Sequence, residues 1–316
     1  MAIDGILLGA VLLALGLCIG VISGFFGVGG AFILVPTLSI LGLPIPNAIA
    51  TSLAFTVGVS SVGGYKHYRA GNISGPVLVG VTIFSFVGIT AAKPFLLYLD
   101  SINMAEKYVQ YAFIILLLAF SAGMYFNERK RGLPGGGVKT GKILSGDQKV
   151  GAVGELSAGN RVTICCKIIF IGLFVGVMKG FLGIGGGFIL LPLFVMLLNM
   201  NAKKAVGTSI LVLFISSIYA TVLYFIAGEV KLVIAVLLIC GSFAGVQYGV
   251  KAVEHIENGT LKYLYSCFLF LAALSIVLKQ AGFSAISMIY TLVLIASTSA
   301  YIVYRYYYKP TLKGEA

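Results

Sequence analysis

The chain has 316 residues, of which 59% are hydrophobic and 10% are charged, and its mean hydropathy is +1.05. So little charge excludes a soluble domain and predicts a polytopic membrane protein. The apolar runs are continuous and do not alternate, which favours helical spans over a β-barrel. The net charge of +12 would suit a nucleic-acid partner, but in a membrane chain it is expected to record orientation.

Eleven apolar segments follow one another along the chain, and most approach the roughly 20 residues that a crossing helix needs. The second and the seventh are short and contain Pro36 and Pro192. We expect all eleven to cross, with re-entrant second and seventh segments as the alternative. The predicted segments lie near 3–22, 30–44, 48–65, 73–92, 108–126, 163–179, 187–200, 205–226, 231–250, 261–279 and 283–304.

The distribution of basic residues predicts the orientation. If the N-terminus is outside and every segment crosses, most of the 22 Lys and Arg lie on the cytoplasmic side, as the positive-inside rule requires. Re-entrant segments would move loop 251–262 and the C-terminal tail outside and weaken this bias. We therefore predict a multi-pass protein of the plasma membrane, with the 127–161 loop and the C-terminus cytoplasmic and no nucleic-acid partner.

The polar stretch 127–161 is predicted to be a flexible cytoplasmic linker. It contains GGVKTGK at 136–142, which superficially resembles a phosphate-binding loop. That motif requires Ser or Thr after the lysine and a preceding strand, whereas Ile143 follows here in a Gly-rich stretch. The five cysteines lack metal-ligand spacing. No cofactor and no metal are expected.

The chain repeats itself. Residues 24–36 read GFFGVGGAFILVP and residues 180–192 read GFLGIGGGFILLP, identical at nine of thirteen positions. ATSLAF at 50–55 likewise matches GTSILV at 207–212. Because each half holds five segments, an odd number, the second half is predicted to be an inverted-topology repeat of the first. The predicted organisation is a first transmembrane repeat at 1–126, the linker at 127–161, a second repeat at 162–282, and a C-terminal helix and tail at 283–316.

The repeated glycines predict two broken helices near the bilayer midplane, where substrate sites of inverted-repeat transporters lie. The helices that follow, at Ala31 and Gly187, are expected to present unpaired N–H groups and a positive dipole end to an anion. The alternative is that the glycines only permit tight helix packing. The residues predicted to bind a solute are Gly27, Gly29, Gly30, Ala31, Thr51, Ser52, Lys179, Gly183, Gly185, Gly186, Gly187, Thr208 and Ser209.

Lys179 immediately precedes the second motif, where the first motif has Ser23. A lysine inside a membrane is costly and suggests function, although it could instead snorkel to the outer headgroups. No Asp or Glu lies deep in any segment, which argues against a cation substrate. No catalytic residues are expected, because a membrane-embedded enzyme needs a nucleophile and base, paired acids or a metal set. A scaffold that binds a partner through the 127–161 loop is a third, weaker hypothesis.

The paired glycine motifs, each continuing into F-I-L-x-P and followed by a Thr-Ser pair, resemble the TauE/SafE family of sulfite exporters. The resemblance extends from about residue 10 to residue 280. It implies that the glycines are family motif positions, with a departure at Ala31 where the second copy has Gly187. It also implies a secondary transporter, an exporter of sulfite or an organosulfonate such as sulfoacetate, that works by alternating access. A channel or transporter for another small anion is the alternative, and the oligomeric state stays open.

Overall fold

The structure is a computed structural model, and it describes residues 2–26, 29–69, 71, 73–129, 158–183, 187–198, 200, 202–253 and 258–308. Every regular element in these ranges is an α-helix, so the all-α prediction is confirmed there. The nucleotide-like stretch 136–142 lies outside the described residues. The helices are α1 (Ala2–Phe26), α2 (Ala31–Ile40), α3 (Ile45–Arg69), α4 (Gly75–Ser101), α5 (Ala105–Arg129), α6 (Ala158–Leu182), α7 (Gly187–Leu197), α8 (Ala202–Ile226), α9 (Leu232–Val253), α10 (Asn258–Gln280) and α11 (Ser284–Tyr308).

Nine of the described helices are long and apolar enough to cross a membrane. The other two, α2 and α7, have 10 and 11 residues. A helix of that length rises about 15 Å, half of the roughly 30 Å hydrocarbon core. Neither is long enough as a helix to cross the hydrocarbon core by itself, and the crossing of these two segments stays a prediction. Glycines with positive φ lie at the described ends of the two breaks, Gly29 and Gly30 directly before α2 and Gly183 directly after α6.

Helices α1 and α9 pack through glycines on both sides. Gly16, Gly20 and Gly24 of α1 face Leu238, Ser242 and Val246 of α9 in the same order, so the two helices run parallel. A Cβ at Gly20 would lie 2.7 Å from Ser242 O, which is too close for any larger residue. Glycine at these positions lets the two backbones touch, as in many membrane helix pairs.

Helices α4 and α6 repeat this arrangement. Gly172, Gly176 and Gly180 of α6 face Val81, Ser85 and Ile89 of α4, again in parallel order, and a Cβ at Gly180 would lie 2.9 Å from Ile89 O. For the glycines that precede each break, Gly24 and Gly180 included, tight packing is thus the observed role. Each of these helix pairs takes one member from the first half of the chain and one from the second.

The centre of the molecule is formed by α3 and α8, and the periphery by α5, α10 and α11. Helix α3 also runs parallel to α9, since Thr51 lies beside Lys231 and Gly58 beside Ile239. Hydroxyl pairs join the outer helices, with Ser121 of α5 and Ser266 of α10 donating to each other's carbonyl oxygens at 2.9 Å.

Candidate functional site

The first glycine break lies between α1 and α2. Gly29 and Gly30 have φ values of 79° and 70°, in the left-handed region that favours glycine. Space also requires glycine, because a Cβ at Gly30 would lie 2.8 Å from Ile19 Cγ2 and 3.1 Å from Phe55 Cε1. Since Phe55 is in the middle of the apolar segment Ile45–Tyr65 of α3, the predicted break is present at mid-depth of that helix.

The second break follows α6. Gly183 has a φ of 64°, and its N–H donates to Lys179 O at 2.9 Å, closing the last turn of the helix. A Cβ on Gly183 would lie 2.7 Å from Ile49 Cγ2 and 2.8 Å from Ile49 Cα. Helix α7 then begins at Gly187, which is buried. The second predicted break is thus also present.

The two breaks lie against the same helix. The first contacts Phe55 and Thr56 of α3, and the Thr56 hydroxyl lies 3.3 Å from Gly29 O. The second contacts Ile49, and the Ser52 hydroxyl lies 3.3 Å from Gly183 O. Ile49 and Thr56 are separated by about 10 Å along a helix. The fold therefore brings together two glycine motifs that are more than 150 residues apart in the sequence.

The start of α2 differs from the expectation. The Ala31 N–H donates to Gly29 O at 2.9 Å, and the N–H groups of Ile33 and Leu34 both lie 3.2 Å from Gly30 O. The prediction of unpaired N–H groups is wrong for Ala31, because the left-handed glycines fold their own carbonyl groups back onto the helix end. In this conformation the positive end of the α2 dipole remains, but those three donors are engaged.

The two predicted threonines bind the opposite half of the chain. Thr51 Oγ1 of α3 accepts a hydrogen bond from the Lys231 N–H at 3.2 Å, immediately before α9. Thr208 Oγ1 of α8 accepts from the Ser74 N–H at 3.0 Å, immediately before α4. Each hydroxyl thus satisfies a backbone donor that a helix start leaves free.

The two predicted serines bond mainly to their own helices. Ser52 Oγ lies 2.8 Å from Ile49 O, and Ser209 Oγ donates to Val206 O at 2.8 Å. Such bonds satisfy a buried hydroxyl without any solute. Of the predicted glycines, Gly27, Gly185 and Gly186 lie outside the described residues.

Lys179 is fully buried, so it does not snorkel to the surface. Its Nζ donates to Ser216 Oγ at 2.7 Å and to Leu213 O at 3.2 Å, both on α8. Leu213 O lies in the middle of α8, and the α6 residues next to Lys179 form the second break. The sequence predicts the importance of this lysine but not these partners, because they come from a segment more than 30 residues away.

No carboxylate pairs with Lys179 in the part of the chain that the structure describes, whereas Lys279 forms an ion pair with Glu106 at 2.7 Å. A buried ammonium held only by neutral oxygens is costly, and such residues in membrane proteins mark ligand or ion pathways. Its place in the last turn of α6 offsets part of this cost, since that helix end carries partial negative charge. The arrangement therefore places the amino group of a buried lysine, with no acidic partner among the described residues, where it can bind an anion.

Ser23 occupies the position in α1 that Lys179 occupies in α6. It is buried, and its hydroxyl has no hydrogen-bond partner among the described residues. Beside it lies a cavity of about 10 Å³, bordered also by Gly29, Ser60 and Leu213. Ser23 is not among the residues that the sequence predicts to bind a solute, although a small residue opposite a long one was a usable signal for a cavity.

The family model described as Sulfite exporter TauE/SafE matches residues 12–276. Among curated proteins, the chain is 28% identical to the probable membrane transporter protein YdhB of Bacillus subtilis, over 77% of this chain and 90% of the relative. It is 26% identical to YunE of the same organism, another probable membrane transporter protein, over 79% and 90% of the two chains.

An archaeal relative is similar over a comparable length. The probable membrane transporter protein MJ0441 of Methanocaldococcus jannaschii is 25% identical, over 84% of this chain and 93% of the relative. No solved structure matches the chain significantly. With the family model covering most of its length, the chain belongs to the TauE/SafE family of membrane transporters.

Proposed function

We propose that this protein is a secondary transporter that exports a small sulfur-containing oxyanion, such as sulfite or an organosulfonate. The observation that carries the proposal is the Lys179 ammonium, which is fully buried beside the second glycine break and has no carboxylate partner in the described ranges. An anion that reaches it would supply the missing negative charge. The family description supports sulfite as the substrate class.

Alternating access between two inverted repeats is the proposed mechanism. The packing of helices from one half against helices of the other half supports it: α1 packs parallel to α9, and α6 packs parallel to α4. Thr51 and Thr208 make corresponding bonds to the starts of α9 and α4. Such correspondence is expected if the two halves, residues 1–126 and 162–282, are related by an axis in the membrane plane. The site would comprise Lys179, Ser52 and the glycine segments around Gly29, Gly30, Gly183 and Gly187.

Liposome flux tests this proposal directly. Purified protein in liposomes should accelerate the exit of sulfite or sulfoacetate, and Lys179→Met should lower the rate by about tenfold or more, because a hydrogen bond to a charged group contributes about 1.5–3 kcal/mol. Met is apolar and similarly long, so this variant should unfold at an unchanged or higher Tm. Lys107→Met is the matched control, since Lys107 is exposed on α5 and should be dispensable.

Two results would contradict the proposal. Equal sulfite and sulfoacetate exit from liposomes with and without protein would exclude the activity. Unchanged flux in Lys179→Met would exclude Lys179 as the anion-binding cation. Chloride and taurine are measured as comparison solutes. Chloride is an anion without a sulfur oxyanion group, and taurine is a sulfonate whose negative charge is compensated by its ammonium group. Together they show whether the carrier selects for sulfur oxyanions with net negative charge.

A further inference from the structure

The cavity beside Ser23 is bordered by a hydroxyl group that no residue in the described ranges satisfies. Ser23 is 2% exposed, and its hydroxyl has no partner among the described residues. A buried hydroxyl without a hydrogen bond is costly, so it is expected to meet a water molecule or a ligand. The cavity itself, about 10 Å³, has room for one water molecule in this conformation.

The cavity corresponds to the space that Lys179 fills in the other half. The repeat aligns Ser23 with Lys179 and Val59 with Ser216. The Lys179 side chain extends to Ser216, whereas the short Ser23 side chain leaves the equivalent space beside Val59 empty. The asymmetry between the halves therefore leaves one space filled by the Lys179 side chain and one mostly apolar cavity beside the Ser23 hydroxyl.

Leu213 lies between these two spaces. Its carbonyl oxygen accepts a hydrogen bond from Lys179 Nζ, while its side chain borders the cavity and would lie 3.4 Å from a Cβ on Gly29. The residue is fully buried. Leu213 therefore contacts Lys179 through its backbone and the Ser23 cavity through its side chain.

We propose that the Ser23 cavity is the first-half part of the substrate site, and that Leu213 closes it off from Lys179 in this conformation. The inference rests on the proposed anion transport. The Ser23 hydroxyl donates to one oxygen of a sulfite or sulfonate group, and the Lys179 ammonium binds another. The Ser60 hydroxyl is already committed to Thr56 O, so Ser23 is the free side-chain donor at the cavity wall.

Cysteine labelling tests the cavity separately from transport. In a background without Cys18, Cys165, Cys166, Cys240 and Cys267, the Ser23→Cys variant is exposed to a thiosulfonate reagent that itself carries a sulfonate group. The variant should react, and faster than with a trimethylammonium reagent of the same length. Sulfoacetate at about ten times its Kd should slow the reaction about tenfold.

Controls define the two limits of the measurement. Ser85→Cys, fully buried at the contact of α4 with α6, should not react, and the exposed Ser101→Cys should react with both reagents without protection by sulfoacetate. Leu213→Ala should accelerate labelling of Ser23→Cys, and Leu213→Met serves the same purpose if the alanine variant does not fold.

The outcomes separate the two proposals. If Ser23→Cys transports sulfoacetate but reacts no faster than Ser85→Cys, or is not protected by sulfoacetate, the cavity is not part of the site. If the unaltered protein carries neither sulfite nor sulfoacetate, the proposed function fails and this inference fails with it. A Ser23→Ala variant offers a second readout, since loss of its hydrogen bond should raise the KM for sulfoacetate about tenfold, with Ser23→Thr restoring it.

Discussion

At the scale of single residues, the site combines one cation with backbone geometry that only glycine permits. Lys179 contacts neutral oxygens of α8, and its own carbonyl group accepts the Gly183 N–H that ends α6. The position of the charge is therefore tied to the conformation of the second break. A change at Gly183 should affect the lysine through this backbone hydrogen bond.

Gly183→Ala should destabilise the protein more than Gly228→Ala. Both residues have a positive φ, 64° and 77°, so alanine at either position would have to adopt the left-handed conformation, at a cost in folding free energy of about 1–2 kcal/mol. Only at Gly183 would the new Cβ meet Ile49, at 2.7 Å, whereas nothing lies within 4 Å at Gly228. Thermal unfolding in detergent measures the difference, and equal Tm losses would show that Ile49 does not confine the break.

Several residue-level features follow from the sequence, and others do not. The repeated glycines predict both breaks, and the position of Lys179 beside one of them predicts its importance. The bonds from Lys179 to Ser216, and from Lys231 to Thr51, join segments distant in the chain, so no local pattern reports them. The donors expected at Ala31 are engaged because Gly29 and Gly30 adopt positive φ, a detail that composition does not encode.

At the scale of elements, the two Thr-Ser pairs connect the central helices to the opposite half. Thr51 binds the backbone before α9, and Asn47, one turn earlier, donates to Glu229 O at 2.8 Å and to Glu229 Oε2 at 2.9 Å. On the other side Thr208 binds the backbone before α4. These contacts fix where α4 and α9 begin relative to the breaks.

Thr51→Val should lower stability by about 1 kcal/mol, because the Lys231 N–H loses its acceptor while the side-chain volume is kept. Thr51→Ser retains the hydroxyl and should retain most of the stability. Thr208→Val should show a similar loss through Ser74. Denaturant or thermal unfolding of the four proteins, the unaltered chain included, checks this pattern, and an unaffected Thr51→Val would show that the contact is not needed to hold α9.

The lengths of α2 and α7 illustrate how far element boundaries can be predicted. Both apolar segments continue past Pro36 and Pro192 without a polar stop, so hydropathy alone extends them to 44 and 200. The helices end at Ile40 and Leu197, and the Lys167 ammonium binds Leu197 O at 2.9 Å. The contact between Lys167 of α6 and the end of α7 is a tertiary one. The apolar pattern of residues 187–200 therefore does not report where α7 ends.

At the scale of the whole molecule, the negative charge of the proposed substrate bears on the direction of transport. An anion leaving a compartment that is negative inside gains about 2.3 kcal/mol per elementary charge at 100 mV. The proposed export of an anion from such a compartment would therefore need no coupling ion.

Imposed potentials should therefore change the flux. In liposomes loaded with sulfoacetate, a potassium diffusion potential that makes the interior negative should accelerate exit, and the opposite potential should slow it, because net charge crosses the bilayer. Exit that is insensitive to potential, yet stimulated by a proton or sodium gradient, would instead establish a coupled exchange.

The glycine contacts between α1 and α9 also have a consequence for biosynthesis. The first helix emerges from the ribosome some 200 residues before its partner, a delay of about 10–40 s at ordinary translation rates. During that time a strip of bare backbone along α1 faces lipid or a membrane chaperone. Quality control in the cell would thus act on the late arrival of α9, and a chain truncated before it would be recognised as incomplete and degraded.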